Sequence, residues 1–491
     1  MASALSLLPS IRSHFPGLAG ETVILDNAGG SQLPRCVIDA MREYLEHSYV
    51  QLGADYPLSQ RASKVIPRAR EVVKVFLGAD AKGAGTRAGS EVGAGLGDVF
   101  FGSSSTVLCY EVASAYADAR DAARHMESAP PDLAKHASDA KATREKLLTR
   151  DQIVVCTAGH EANVGPWMRL ALRGYTIVPW QVEPVRDGKG NVNWRPSLDT
   201  LRKLVNDRTL LVLVPQVSNI LGEVWDVRGV ADVAHSAGAR VLVDGVAYAP
   251  HRAPSMSEFG CDWYVYSTYK VFGPHMAAMF GTHDAMAELV GPNHYFLGKD
   301  VGPYKWELGN ANHEGAAGVA ALWEYVRELA GMGGYAEPAT ANKASPPPTP
   351  SIGEGASELR NWSTSPTRDV FEKAFGVVRE IEDTLTAQII GYLLKKPSVR
   401  IIGPRIADAS RVGTISFTSV KATPLQMSQH LGAKNIGIRQ GHAYSKRLVE
   451  TLATDASLNL DPATGVARIS IQHYNTPQEI ERLCATLDEL L

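Results

Sequence analysis

Five short apolar runs constrain this chain more than any other feature: DVFF (98–101), QIVVC (152–156), TLLVLV (209–214), ARVLVD (239–244) and DWYVYS (262–267). Longer stretches with apolar residues at helical spacing lie between them, such as RGVADVAHSAGA (228–239). Continuous apolar strands alternating with helices predict an α/β chain with a mainly parallel sheet covered on both faces. In such sheets ligands bind beyond the carboxyl ends of the strands. The polar residues that follow each run are therefore the ones to read for chemistry.

The bulk composition sets limits on that chemistry. Lys and Arg number 49 against 52 Asp and Glu, a formal charge of −3, which offers no attraction to nucleic acid or an anionic membrane. No apolar run reaches the roughly 20 residues that a membrane helix needs. The opening MASALSLLPSIRSHFPGL has neither a basic start nor a small-residue cleavage site, so it reads as the start of the working protein. The five cysteines (36, 109, 156, 261 and 484) are scattered and form no CxxC pair. That argues against a disulfide scaffold or structural zinc and fits the reducing cytoplasm.

Three stretches read as insertions: KGAGTRAGSEVGAGLGD (82–98), SAPPDLAKHASDAKATREKL (128–147) and the Pro/Ser/Thr-biased 337–369. The last divides a large domain, 21–336, from a smaller α+β domain, 370–491, on which residues 1–20 are expected to pack. A helix at 371–394 and strands at 398–403, 413–419 and 467–475 are predicted there. The glycines of VGAGLG (92–97) precede a strand and lack GxGxxG spacing, so a nicotinamide site is not supported.

Taken in order, the strand ends offer four kinds of group. GSSST (102–106) puts Ser104, Ser105 and Thr106 at a helix start, where backbone N–H groups and hydroxyls suit either an anion or an N-cap. His160 follows QIVVC and can stack on a flat ligand or be structural. Asn219 and Asp244 follow the next two runs; each has a turn or cap reading beside a ligand reading. Lys270 follows DWYVY in STYKVFGPH, where a lysine of lowered pKa can act as an amine nucleophile. An anion site, a ring stacker, a buried carboxylate and an amine together match pyridoxal 5'-phosphate, which needs a Schiff-base lysine and an acid against its ring nitrogen.

At these residues the chain resembles the class V aminotransferase superfamily of fold type I, in its cysteine-desulfurase-like branch. LDNAGGSQLP (25–34), GHEANVGPW (159–167), VDGVAYAPHR (243–252), STYKVFGPH (267–275), NHEG (312–315) and GHAYSKRLVE (441–450) carry the likeness. The resemblance implies Lys270 as the Schiff-base lysine and proton carrier, Asp244 against the pyridine nitrogen and His160 over the ring. It implies Asn219 at the ring hydroxyl, Ser104, Ser105, Thr106 and Ser267 around the phosphate, and Tyr269 as their neighbour. Arg468 would take the substrate carboxylate, with His442 and Tyr444 beside it. A homodimer is implied, in which the loop carrying Asn310 reaches the partner's phosphate; relatives usually have threonine at that position.

Two departures bear on the reaction. Desulfurases of one common type carry a mobile cysteine after an Arg-Thr-Gly-His-His motif, and here IRQGHAYS (438–445) places Tyr444 there. Ala247 stands three residues past Asp244, where relatives often have glutamine or histidine. The expected function is a lyase of a C–S or C–Se β-bond in a small L-amino acid. The alternative is a decarboxylative aldolase-type enzyme with an aspartate-like donor, since VDGVAYAPHR and YKVFGPH are also similar to a fungal branch with that chemistry. A non-catalytic scaffold is disfavoured because Lys270, Asp244, His160 and Arg468 are all present.

Overall fold

The computed structural model describes residues 4–80, 95–125, 141–186, 192–294, 296–297, 302–334 and 364–491. Most of the three insertions read from composition lies outside the described residues: 82–94, 128–140 and 337–363. Part of the second, however, folds as the helix Lys141–Thr149.

All five apolar runs form strands of one seven-stranded sheet. In chain order its strands are β1 (Gly97–Gly102), β2 (Gln152–Cys156), β3 (Thr176–Trp180), β4 (Thr209–Pro215), β5 (Arg240–Asp244), β6 (Trp263–Ser267) and β7 (Ala277–Thr282). Their spatial order is β1-β7-β6-β5-β4-β2-β3. The pairs from β6 across to β3 are parallel, and β7 runs antiparallel between β1 and β6. Strands β2, β4, β5 and β6 are buried along almost their whole length, which is why they read as unbroken apolar runs.

The C-terminal part carries an antiparallel sheet of four strands: β8 (Val399–Ile402), β9 (Thr414–Ser419), β10 (Arg439–Gly441) and β11 (Val466–Ser470), ordered β8-β9-β11-β10. The predicted strand 467–475 ends earlier, at Ser470. Beyond it the chain turns, because the Asn475 carboxamide accepts from Gln472 N–H at 2.9 Å and ties back to Asn27. The helix expected at 371–394 spans Arg368–Leu393.

The N-terminal segment joins the two sheets. Arg12 donates to the Tyr474 carbonyl at 2.8 Å and to Glu479 at 2.9 Å. Val23–Ile24 pairs with Ile436–Gly437, and Asn27 N–H and Ala28 N–H both bond Ser470. The motif LDNAGG is thereby fixed against the end of β11.

Beneath this junction sits a buried polar cluster. His251 Nδ1 lies 2.8 Å from Glu382 Oε2, and His473 Nε2 meets the Tyr325 hydroxyl, among Phe15 and Phe272. The His473 imidazole has no exposed surface, and burial, with His251 adding to it, pushes its pKa down to about 3. Its folded pKa is depressed, so the folded state takes up this proton later than the unfolded chain. Stability is therefore full above the unfolded value near 6.5 and falls as pH drops below it, by about 1.4 kcal/mol per pH unit for this group alone. Thermal midpoints measured from pH 7 down to 5 should decline in the wild type. His473→Gln should flatten the decline, and an unchanged slope would rule this group out.

Candidate active site

Lys270 owes its position to a clipped turn. It ends a short 3-10 segment, Thr268–Lys270, directly after β6. Thr268 Oγ1 donates to the carbonyl of Pro274 at 2.6 Å, and Val271 N–H and Gly273 N–H both return to the Thr268 carbonyl. Ser31 N–H donates to the Tyr269 carbonyl at 2.9 Å. Phe272, held at φ 58° in the left-handed region, donates its N–H to Ser31 Oγ at 2.8 Å. A bulky residue at positive φ costs on the order of 1–3 kcal/mol, and it persists here because both sides of the turn are over-determined. Burial pulls the Lys270 amine down to about 8, Arg468 pulls the same way, and Asp244 and Asp26 oppose both.

Asp244 closes β5. Gly245 follows because a Cβ there would stand 2.0 Å from the ring of Tyr264, so the chain can leave the strand only without a side chain. The Asp244 carboxylate is buried and accepts from Val246 N–H at 2.9 Å. No cation among the described residues forms a salt bridge with it. Burial raises its pKa, although the Val246 bond and Lys270 lower it.

His160 is the N-cap of a helix, Glu161–Met168. Its Nδ1 accepts from Ala162 N–H at 3.1 Å, which fixes the ring. Burial, then Lys270 and Arg468, lower its pKa to about 4, so the imidazole is neutral near pH 7. The phosphate candidates split in role. Ser104 caps the helix Ser105–Arg124 by accepting from Val107 N–H, while Ser105 Oγ lies 3.1 Å from the buried Ser267 Oγ. Two hydroxyls and a twenty-residue helix N-terminus thus converge. Tyr269 contributes its carbonyl to Ser31 and its ring to a tilted contact with His275 at 5.2 Å.

Asn219 and the 442–445 loop are interlocked. Asn219 Nδ2 donates to the Ala443 carbonyl at 2.8 Å, and its Oδ1 accepts from Ser445 Oγ at 2.6 Å. Glu161 N–H donates to the Tyr444 carbonyl, and Arg447 grips the Glu161 carboxylate with two nitrogens. Ala443 and Tyr444 both sit at positive φ, 44° and 61°. The loop is therefore strapped down, with the Tyr444 ring 5.2 Å from that of His160 and yet 70% exposed. His442 caps this turn by accepting from Tyr444 N–H on Nδ1.

Arg468, on β11, is buried. Its Nη1 donates to the Asn219 carbonyl at 3.2 Å, and its Nε has no hydrogen-bond partner among the described residues. Asp26 and Arg439 adjoin it, and neither was singled out from the sequence. The available signal is that LDNAGG and IRQGH each hold one charged residue within three positions of a glycine. Asn310 stands apart from the rest. It lies at φ 129° in an open groove of about 800 Å³ that it shares with Gly102, Ser103, Val107 and Glu111. His251 and His275 contact Glu382 and Tyr269 respectively. Among the described residues there is no metal-binding group of three or more His, Cys, Asp or Glu. No described helix is long and apolar enough to cross a membrane.

The donor set fits pyridoxal phosphate. An unpaired buried carboxylate suits a protonated ring nitrogen, a neutral imidazole suits a flat face, and paired hydroxyls at a helix start suit a phosphate. Comparison with known proteins points to the same cofactor. The family model for Aminotransferase class-V matches residues 23–88, 137–337 and 371–483. An aminotransferase-like protein, FGM3, of Gibberella zeae is 29% identical over 501 residues, covering 100% of both chains. A cysteine desulfurase-like protein, ustD, of Aspergillus flavus is 26% identical over 489 residues, covering 98% of this chain and 90% of its own. The crystal structure of the cysteine desulfurase CsdA of Escherichia coli superposes with a TM-score of 0.69 at 21% identity, covering 99% of each chain.

Proposed function

The chain belongs to the class-V aminotransferase family, whose cysteine-desulfurase-like members are pyridoxal-phosphate enzymes, and from that premise we propose that it breaks the β-bond to sulfur or selenium in a small L-amino acid. The observation that carries this reading is the convergence of Lys270, Asp244, His160 and Arg468 beyond the strand ends. When bound, pyridoxal phosphate supplies an electron sink for the charge left by bond breaking at the amino acid.

The chain's own groups take the other roles. Ser105, Ser267, Thr106 and the helix N-terminus following Ser104 hold the phosphate. Asp244 keeps the ring nitrogen protonated, and neutral His160 covers one ring face without repelling it. Arg468 binds the α-carboxylate and so orients the α-hydrogen toward Lys270, whose amine removes that proton and later returns it. Tyr444, beside the His160 ring, borders the substrate's side chain. Asn219 acts mainly through the loop it straps. A homodimer would cover the groove beside Asn310, whose rim exposes Tyr49, Val107 and Leu308.

Three of the five cysteines are buried, Cys36 and Cys484 are half-buried, and the loop at 441–445 has none. Sulfur would then leave as sulfide and not on a protein thiol. The same absence supports a second reading, decarboxylation of an aspartate-like donor followed by carbon–carbon bond formation, which needs no thiol. The purified enzyme, loaded with pyridoxal phosphate and given L-cysteine and L-aspartate separately, distinguishes the two: sulfide supports the first and carbon dioxide the second. Tyr444→Ala should change the ratio of the two rates while leaving cofactor affinity within about twofold, as expected for a residue that reaches the cofactor only through His160. No reaction or spectral change with either amino acid would overturn both readings.

A further inference from the structure

Arg439 and Arg468 face each other directly across β10 and β11. Like charges opposite one another in an antiparallel pair are destabilising, so a compensating acid is expected. It is Asp26, and its two bonds are unequal. Arg439 holds it with a fork, Nη2 to Oδ2 at 2.5 Å and Nε to Oδ1 at 3.2 Å. Arg468 reaches it only from Nη2 to Oδ1 at 3.5 Å.

The inequality runs against simple stability. Arg468 is 4% exposed and has an unpartnered Nε, so it has more to gain from a carboxylate than Arg439, which is about half exposed. A guanidinium fork on a carboxylate fixes direction as well as distance. Asp26 is held by the more exposed arginine, and the buried guanidinium is left short of acceptors.

We propose that Arg439 is a positioning residue that restrains Asp26 and thereby keeps Arg468 open to the carboxylate of an incoming amino acid. The inference rests on the carboxylate role of Arg468 proposed above. Without the fork, Asp26 closes on Arg468, satisfies it, and competes with the substrate. Affinity for carboxylate-bearing ligands is thus set by a residue that need not touch them.

The test is a titration of the pyridoxal-phosphate-loaded enzyme, following its visible absorption band, with L-alanine and with ethylamine, the same molecule type lacking a carboxylate. Arg439→Ala should weaken L-alanine by about tenfold, the scale of one charge-assisted contact, and leave ethylamine unchanged. Asp26→Asn added to Arg439→Ala should restore L-alanine binding by removing the competitor. Arg439→Lys keeps the charge but cannot hold both oxygens, so it should also weaken L-alanine. Wild-type behaviour of Arg439→Lys would mean that net charge alone acts and would overturn the restraint, as would a double variant that stays weak. If the wild type binds L-alanine no better than ethylamine, the carboxylate role of Arg468 falls, and the restraint with it.

Discussion

Lys270→Ala is expected to lose the visible band that the wild type shows when loaded with pyridoxal phosphate, and to lose turnover by about 10,000-fold, the scale on which deleting a covalent catalytic group acts. An exposed lysine near 10.5 would be almost wholly protonated at neutral pH. Lys270, held near 8 by burial and by the Arg468 charge, is the free amine in about a tenth of molecules at neutral pH, far more than an exposed lysine. The direction matters for pH as well. The neutral amine is the reactive form, so the rate of cofactor loading should climb as pH rises through about 8 and level off above it. Arg468→Gln removes one of the charges that lower the amine's pKa and should move that midpoint upward. Stopped-flow absorbance of the unloaded protein, mixed with pyridoxal phosphate between pH 6.5 and 9.5, reads both effects. A band that survives in Lys270→Ala would show that another amine is used.

Much of this site was readable from residue order because burial and chemistry coincide there. The five apolar runs end at the residues they announced, and Lys270, Asp244, His160 and Asn219 all sit at their ends. Strand β7 was not readable. Its sequence, AAMFGT, has a single β-branched residue, Thr282 at its end, and is otherwise mostly small because space is short: a Cβ on Gly281 would come 2.6 Å from the ring of Trp263. Its antiparallel insertion therefore left no alternating pattern and almost no β-branched signal.

The long-range polar pairs were equally silent. Asp26 and Arg439 are 413 positions apart, and periodicity cannot link them. The strap on Tyr444 depends on two residues at positive φ that are neither glycine nor asparagine, so propensity points away from it. Asn219 illustrates a mixed outcome. Its place was legible, but its amide is spent largely on Ala443 and Ser445, partners supplied by a loop more than 200 residues away.

Asp244→Asn should separate stability from catalysis. In the unloaded protein Asp244 is a buried carboxylate with one N–H bond, and burial raises its pKa. A folded pKa above the unfolded 3.8 means that its ionisation opposes folding, so stability is lost as pH rises past 3.8. Asparagine removes that cost and still accepts from Val246 N–H. The unloaded variant should therefore melt above the unloaded wild type at pH 7, by a margin that shrinks as pH falls toward 4. Loading should reverse the order. A protonated ring nitrogen gives the carboxylate its missing cation, and asparagine cannot hold that proton in place. The loaded variant should gain less thermal midpoint than the loaded wild type, and its turnover should fall on the order of a hundredfold to a thousandfold, the range for losing one preorganised electrostatic partner. Differential scanning fluorimetry of both proteins, with and without pyridoxal phosphate at pH 4.5 and 7, gives the four comparisons. A variant less stable than the wild type in the unloaded state would mean that Asp244 already has a cationic partner within the fold, and the carboxylate would then be structural and not reserved for the ring.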